Sequence, residues 1–310
     1  MQATLLKHVP EICRIHLDHR LLRCEEKEDC VKLFFKNDEE ANCDVLIAAD
    51  GIHSVVRELI PNRGLFYTGT QVFRGLIPKE KMQKLYPDHR TIRDPVNYSG
   101  KNQHIVVYPI SGGRIINVVA FFSKPEDEGK PMDDLEIRSA TTEEAVDKFS
   151  GWEDEVTQLL KSIEKPTRWV IRDLYPMETY VSRRIALVGD AAHNMTPHLG
   201  AGAGQAMEDG YILGRLFSEG GSARWDRILQ AYDLVRHPFG NMIQRNARAQ
   251  GFNYELNAPG LENIKEKGQE LSPEQISILR NAITENRSWY ENDADEDLAR
   301  AVEFLNESSG

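Results

Sequence analysis

Apolar and polar positions alternate in three short runs near the start of the chain, Arg14 to Leu17, Leu21 to Glu25 and Val31 to Phe35. Separated by polar turns, they predict the strands of a hairpin or meander, preceded by a short helix over 2–9. Asp44 to Ala49 breaks the alternation. Its continuous apolar run closed by Asp50-Gly51 is the pattern of a strand buried on both faces in a parallel or mixed sheet. Ser54 to Arg57 then opens a helix that Pro61 stops. Period two returns between Thr70 and Lys124, at Gln71 to Ile77, His104 to Tyr108 and Arg114 to Phe122, with Ser111-Gly112-Gly113 as a hairpin turn. These residues predict a second, more antiparallel sheet in a separate layer.

Beyond that sheet the period lengthens. Helices are expected at 141–149 and 153–163, a strand at Trp169 to Leu174, and a buried strand at Ile185 to Val188. Gln205 to Phe217 and Trp225 to Ala249 are amphipathic at helical spacing. The tail over 261–307 is charged and helical with weak apolar faces, and Glu307 to Gly310 is expected to be disordered. The fold class is therefore α/β with an antiparallel layer and C-terminal helices, divided at 1–66, 67–175, 176–256 and 257–310. There is no internal repeat.

Charge narrows the function. Forty-nine acidic residues against 38 basic ones give a net charge of −11, the wrong sign for a surface that neutralises phosphates, so nucleic acid is not an expected partner. The four cysteines, Cys13, Cys24, Cys30 and Cys43, show no C-x-x-C spacing and no matching histidine cluster, so no metal site is expected. With no signal peptide and no apolar run near the roughly 20 residues of a membrane span, a cytoplasmic protein is expected.

Two buried strands end alike, at Ala49-Asp50-Gly51 and Gly189-Asp190-Ala191. A carboxylate in that position needs a partner, and in an open α/β sheet the ligand crevice lies beyond the carboxyl ends of the strands. Both aspartates are placed to accept hydrogen bonds from ribose or ribityl hydroxyls. After Asp190 come Pro197 and the run Gly200-Ala201-Gly202-Ala203-Gly204 immediately before a helix, where bare N–H groups suit an anion or an electron-rich ring edge. The plainer alternative is a tight turn whose glycines let helix and sheet approach closely.

Asp50-Gly51-Ile-His-Ser54-Val-Val-Arg57 resembles the DG motif of class A flavoprotein monooxygenases, and Gly189-Asp190-Ala-Ala-His through Pro197, Gly200 and Gly202 resembles their GD motif. Phe73-Arg74-Gly75, Tyr108-Pro109, Trp152, Trp169 with Asp173 and Pro176, and Tyr232 through Arg236 and Pro238 fit in order, and the salicylate-hydroxylase-like, fungal-type enzymes are the subgroup most similar. The resemblance implies an FAD-dependent hydroxylase of an aromatic or polyketide-derived small molecule in secondary metabolism, using NAD(P)H and O2. It implies that Asp190 binds the ribityl chain, that the glycine-loop N–H groups stabilise the flavin edge, and that Asp50, Gly51, Ser54 and Arg57 contact nucleotide. On the substrate side it implies Arg74 pairing with a phenolate or carboxylate, Tyr108 hydrogen-bonding a substrate oxygen, and His198 as a proton shuttle; a solvated strand residue, sheet packing and a backbone-satisfying loop histidine are the respective alternatives.

The family opens with a strand, a G-x-G-x-x-G turn and a helix for the FAD pyrophosphate, with an acidic residue about 20 positions later. Residues 1–180 carry no such motif, and Met1 to Pro10 corresponds to the helix that follows it. The strand ending at Asp50 is therefore expected to show an apolar edge. Three readings stand open: a piece of a longer chain, a segment supplied by a second copy or partner chain, or a short form acting without flavin as a non-redox cyclase or isomerase or as a silent binding protein.

Overall fold

The computed structural model describes residues 2–132, 136–221, 224–266 and 268–307. Its strands are β1 (Leu21–Glu26), β2 (Val31–Phe35), β3 (Glu40–Cys43), β4 (Leu46–Ala48), β5 (Leu65–Pro78), β6 (Val96–Gly100), β7 (Gln103–Ile110), β8 (Ile115–Ser123), β9 (Ile137–Ser139), β10 (Glu164–Leu174) and β11 (Ile185–Leu187). Its helices are α1 (Gln2–Leu5), α2 (Lys79–Leu85), α3 (Thr142–Lys148), α4 (Asp154–Ser162), α5 (Asp190–His193), α6 (Gly202–Gly220), α7 (Trp225–Tyr254), α8 (Pro273–Glu285) and α9 (Ala294–Glu307).

Strands β6-β7-β8-β5-β10-β9 form one antiparallel sheet in that order. Its alternation has two outcomes. Phe73, Ile77, Ile116, Val118 and Ala120 face a core completed by Val156, Leu159 and Leu160 on the apolar stripe of α4. On the opposite face Val72 pairs with Phe121, Arg74 with Val119, and His104 with Phe121, so chemistry-bearing side chains share the face opposite that core.

The second layer is built on β11, every residue of which is buried, running parallel to β4 with Ile185 opposite Leu46. Helices α6, α7 and α9 pack on it through Ile212, Leu216, Ile228, Tyr232, Leu298 and Leu305. The tail thus has a stronger apolar face than its composition suggests, because α9 seats Leu298, Ala301 and Leu305 together. Among the described residues β4 pairs on one side only, and its Ile47 is 38% exposed.

Several sequence expectations change. Arg14 to Leu17 is not a strand: no neighbour pairs with it, and Ile15 and Leu17 stand in solvent. The run at 44–49 shortens to β4, and Ser54 to Arg57 yields only a 3-10 turn at Arg57–Leu59. The helix at Gln205 begins earlier, at Gly202, so half of the glycine loop is its first turn. The helix at Trp225 runs on to Tyr254 with Pro238 inside it. At the C-terminus, residues 308–310 of the expected disordered end lie outside the described residues.

Candidate functional site

The first half of the site grows from the end of β11. Gly189 adopts φ +60°, and a Cβ there would come within 3.1 Å of Ala206 Cβ, so only glycine lets the turn close under α6. Asp190 follows as the first residue of α5. Its carboxylate is exposed and has no hydrogen-bond partner among the described residues. Pro197–Leu199 forms a 3-10 turn, Gly200 takes the left-handed conformation at φ +65°, and α6 starts two residues later. Together Ala49, Gly51, Gly189, Asp190, Pro197 and Gly200 through Ala203 line a cleft of about 520 Å³. Eight of the fourteen lining residues are glycine or alanine, so much of the cleft wall is backbone.

Around Asp50 the polar groups are spent locally. Asp50 Oδ2 accepts from the N–H of Val55 at 2.9 Å and of Val56 at 3.4 Å. Ser54 Oγ accepts from Arg57 N at 3.0 Å, and both residues are buried. The Arg57 guanidinium donates through Nη1 to the carbonyls of Asp190 and Ala191 at 3.3 and 3.2 Å, and through Nη2 to that of Ile52 at 2.6 Å. Asp50, Ser54 and Arg57 are not among the residues that line the cleft. Arg57 instead staples the segment after β4 to the helix after β11, and burial lowers its pKa. Gly204 likewise is not among the lining residues, turning away on α6 between Ala203 and Ala206, which do line the cleft.

A second cleft of about 790 Å³ lies on the open face of the sheet and holds Arg74, Tyr108 and His198 together with Phe121, Trp169 and Tyr254. The two clefts share one wall, made of Asn194, Met195, Pro197 and Gly200. The guanidinium of Arg74 lies 4.9 Å over the Trp169 ring, and Tyr108 is 40% exposed. Both ring nitrogens of His198 are buried, with the ring packed on Phe121 and Gly251, although the residue as a whole is half-buried. Burial pushes His198 and its neighbour His104, 5.2 Å away between ring centres, down to about 3, so both are neutral at physiological pH. Glu255 accepts from Ser123 Oγ at 2.8 Å and sits 3.2 Å from His104 Nδ1; burial raises its pKa.

The buried carboxylate that the motif pattern places at Asp190 is in fact Asp209, on α6. It accepts from Gly189 N at 2.8 Å and from Arg236 Nε at 2.8 Å, and lies 2.6 Å from His193 Nε2. Arg236 is fully buried and completes its bonds with Glu208 at 2.9 Å and Gln205 Oε1 at 2.6 Å. His193 is thus committed to Asp209 rather than to a ligand.

Asp173, at the end of β10, accepts from Leu174 N at 2.9 Å and Gln244 Nε2 at 3.2 Å beneath the shared wall. Burial pushes its carboxyl up to about 6. A folded-state pKa above the ordinary value of 3.8 means the native state holds the extra proton between these limits. Its contribution is complete below pH 4 and is lost as pH rises through 6, on the order of 3 kcal/mol at 1.36 kcal/mol per unit. Asp173→Asn should flatten the fall in stability over this window in thermal melts taken at pH 4 to 7; an unchanged slope would contradict the assignment.

Comparison with known proteins agrees with this geometry. Residues 3–247 match the FAD binding domain family, and the chain belongs to it. It is 36% identical over 269 residues to a salicylate hydroxylase of Pseudomonas putida, covering 82% of this chain and 62% of that protein. It is 36% identical over 211 residues to the 6-methylsalicylate 1-monooxygenase of Aspergillus terreus, covering 66% of this chain and 46% of the relative. The chain therefore spans less than two thirds of the length of these relatives. The structure superimposes on a salicylate hydroxylase substrate complex with a TM-score of 0.85 at 30% identity, over 96% of this chain and 74% of the other.

Proposed function

We propose that this chain forms the ring-binding and substrate-binding portion of an FAD-dependent aromatic hydroxylase that uses NAD(P)H and O2. The observation that carries the reading is the shared wall: one loop, Asn194 to Gly200, bounds both a backbone-lined cleft and an apolar cleft with cationic residues. Two ligands placed in these clefts would meet across that loop. The relatives named for salicylate and 6-methylsalicylate support a hydroxylated aromatic acid as the second ligand.

The first cleft fits a flavin by the chemistry of its donors. Asp190 offers a carboxylate with no partner among the described residues, suited to ribityl hydroxyls. The N–H groups of Gly202 and Ala203 at the start of the 19-residue α6 lie at the positive end of a helix, suited to the electron-rich N1/C2=O edge of the ring. Bound flavin would supply hydride acceptance from NAD(P)H and activation of O2 for transfer of one oxygen atom to the substrate ring. This chain's residues do the remainder. Val72, Val119, Phe121 and Trp169 exclude water and set the plane of the ring. Arg74 pairs with an anionic group, and Tyr108 at the rim offers a hydroxyl. Neutral His198, its ring packed against Phe121 and Gly251 with both nitrogens buried, adds to the wall of this cleft rather than offering a nitrogen to the substrate.

Purification of the 310-residue chain followed by titration with FAD tests this. The expected result is a bound flavin spectrum and NAD(P)H oxidation that requires both FAD and a hydroxylated aromatic acid. A colourless chain that takes up no FAD, or one that converts substrate without reductant, would contradict it.

A further inference from the structure

The segment after α8 places a cation in the aromatic cleft from outside the region matched to the FAD binding family, which ends at residue 247. Arg287 lies at the rim of this cleft, and its Nη2 donates to the Tyr254 hydroxyl at 2.9 Å. The residues around it are tied down on both sides. Asn286 Nδ2 donates to Gln250 Oε1 of α7 at 3.4 Å, and the Tyr290 hydroxyl donates to the carbonyl of Leu199 at 3.3 Å. Trp289, stacked on Tyr290 with ring centres 4.0 Å apart, packs in the cluster that contains Leu199, Ala201 and Ala247. The segment over 286–290 is thus a strap fastened across the loop that separates the two clefts.

Charge gives the strap a chemistry. The cleft is lined by three arginines and no aspartate or glutamate. Arg172 is neutralised by Glu136, whose Oε1 accepts from Nε at 2.9 Å, and Arg74 lies over Trp169. Among the described residues the Arg287 guanidinium meets a neutral phenol and no carboxylate. Tyr254, having accepted from Arg287, keeps a hydroxyl hydrogen with no acceptor among the described residues. A planar guanidinium beside a free O–H is a donor set that matches a carboxylate and that a neutral amide satisfies poorly.

We propose that Arg287, with the Tyr254 hydroxyl, is a specificity-determining pair that selects substrates bearing a carboxylate and seats that group beneath the strap. The proposal rests on the reading that this cleft takes the aromatic substrate. Isothermal titration of the full chain with salicylate and with its neutral analogue salicylamide tests it, and needs no bound flavin. Arg287→Gln should weaken salicylate about tenfold or more while leaving salicylamide within twofold, and Arg287→Lys, which keeps the charge but loses the planar fork, should fall between the wild type and Arg287→Gln. Tyr254→Phe should produce a smaller loss confined to salicylate. If Arg287→Gln changes neither ligand or both equally, or if the wild-type chain binds salicylate no better than salicylamide, the proposal is overturned. A parallel FAD titration separates the two readings: Arg287-dependent salicylate binding in a chain that does not take up FAD sinks the flavin reading and leaves this one standing.

Discussion

Asp190→Ala should strip FAD from the protein while leaving its fold in place. The carboxylate is exposed at the cleft and accepts no hydrogen bond from the described residues, so its removal should change stability by no more than about 0.5 kcal/mol. Its value is reserved for a ligand. A charge-assisted hydrogen bond contributes about 1.5–3 kcal/mol, and two carboxylate oxygens on neighbouring ribityl hydroxyls would together account for at least a hundredfold in FAD affinity. FAD titration and a thermal melt on the same preparation measure both halves. Unchanged flavin affinity would remove Asp190 from the site, and a collapse of the melting temperature would make it a structural residue.

Asp209→Ala should do the reverse and unfold the site from beneath. It removes the shared acceptor of Gly189 N, Arg236 Nε and the His193 ring, and leaves a fully buried guanidinium with Glu208, Gln205 and, at 3.9 Å, Asp297. Deleting one partner of a buried ion pair costs about 3–5 kcal/mol, because the other charge stays desolvated. Burial by itself would raise the Asp209 carboxyl, but His193, Arg236 and the Gly189 N–H together hold it below the usual carboxylate range. The stability it contributes is therefore present above the ordinary carboxylate pKa and is lost as pH falls through its depressed value. Asp209→Ala should show a large loss of stability at neutral pH and a smaller further loss on acidification than the wild type. A variant as stable as the wild type would show that the network is dispensable. Because Asp209 also holds the Gly189 turn, FAD affinity should fall in this variant even in the fraction that remains folded.

The contrast between these aspartates shows what was legible in the sequence. Strand-end aspartates each beside a glycine announced the crevice, because few other patterns bring a carboxylate and bare backbone to one strand end. Arg74, Tyr108 and His198 do line one cleft, as the alternation of β5 and β7 and the position of the loop before α6 required. The identity of the buried carboxylate was misplaced, yet a signal was present. Gln205, Asp209, Ile212, Leu213 and Leu216 fall on one face of α6, and Arg236 shares its face of α7 with Ile228, Leu229 and Tyr232. Opposite charges on the apolar faces of consecutive helices announce an internal ion pair. By contrast, nothing local marked Arg57 as a staple, since its three acceptors are backbone carbonyls, two of them more than 130 residues away. Arg287 was illegible for the same reason: its place depends on how the tail returns across α7. The alternation at Arg14 to Leu17 shows the converse failure, a strand pattern that finds no neighbour to pair with.

The claim on which the account turns is that one loop serves two ligands at once, and the flavin spectrum itself can report it. With FAD bound to the chain, addition of salicylate should shift and sharpen the visible flavin bands in a saturable manner, because the aromatic cleft shares Asn194, Met195, Pro197 and Gly200 with the flavin cleft. If FAD binds, and calorimetry shows salicylate binding, while the flavin bands do not change, the two ligands do not meet across that wall, and the central claim fails.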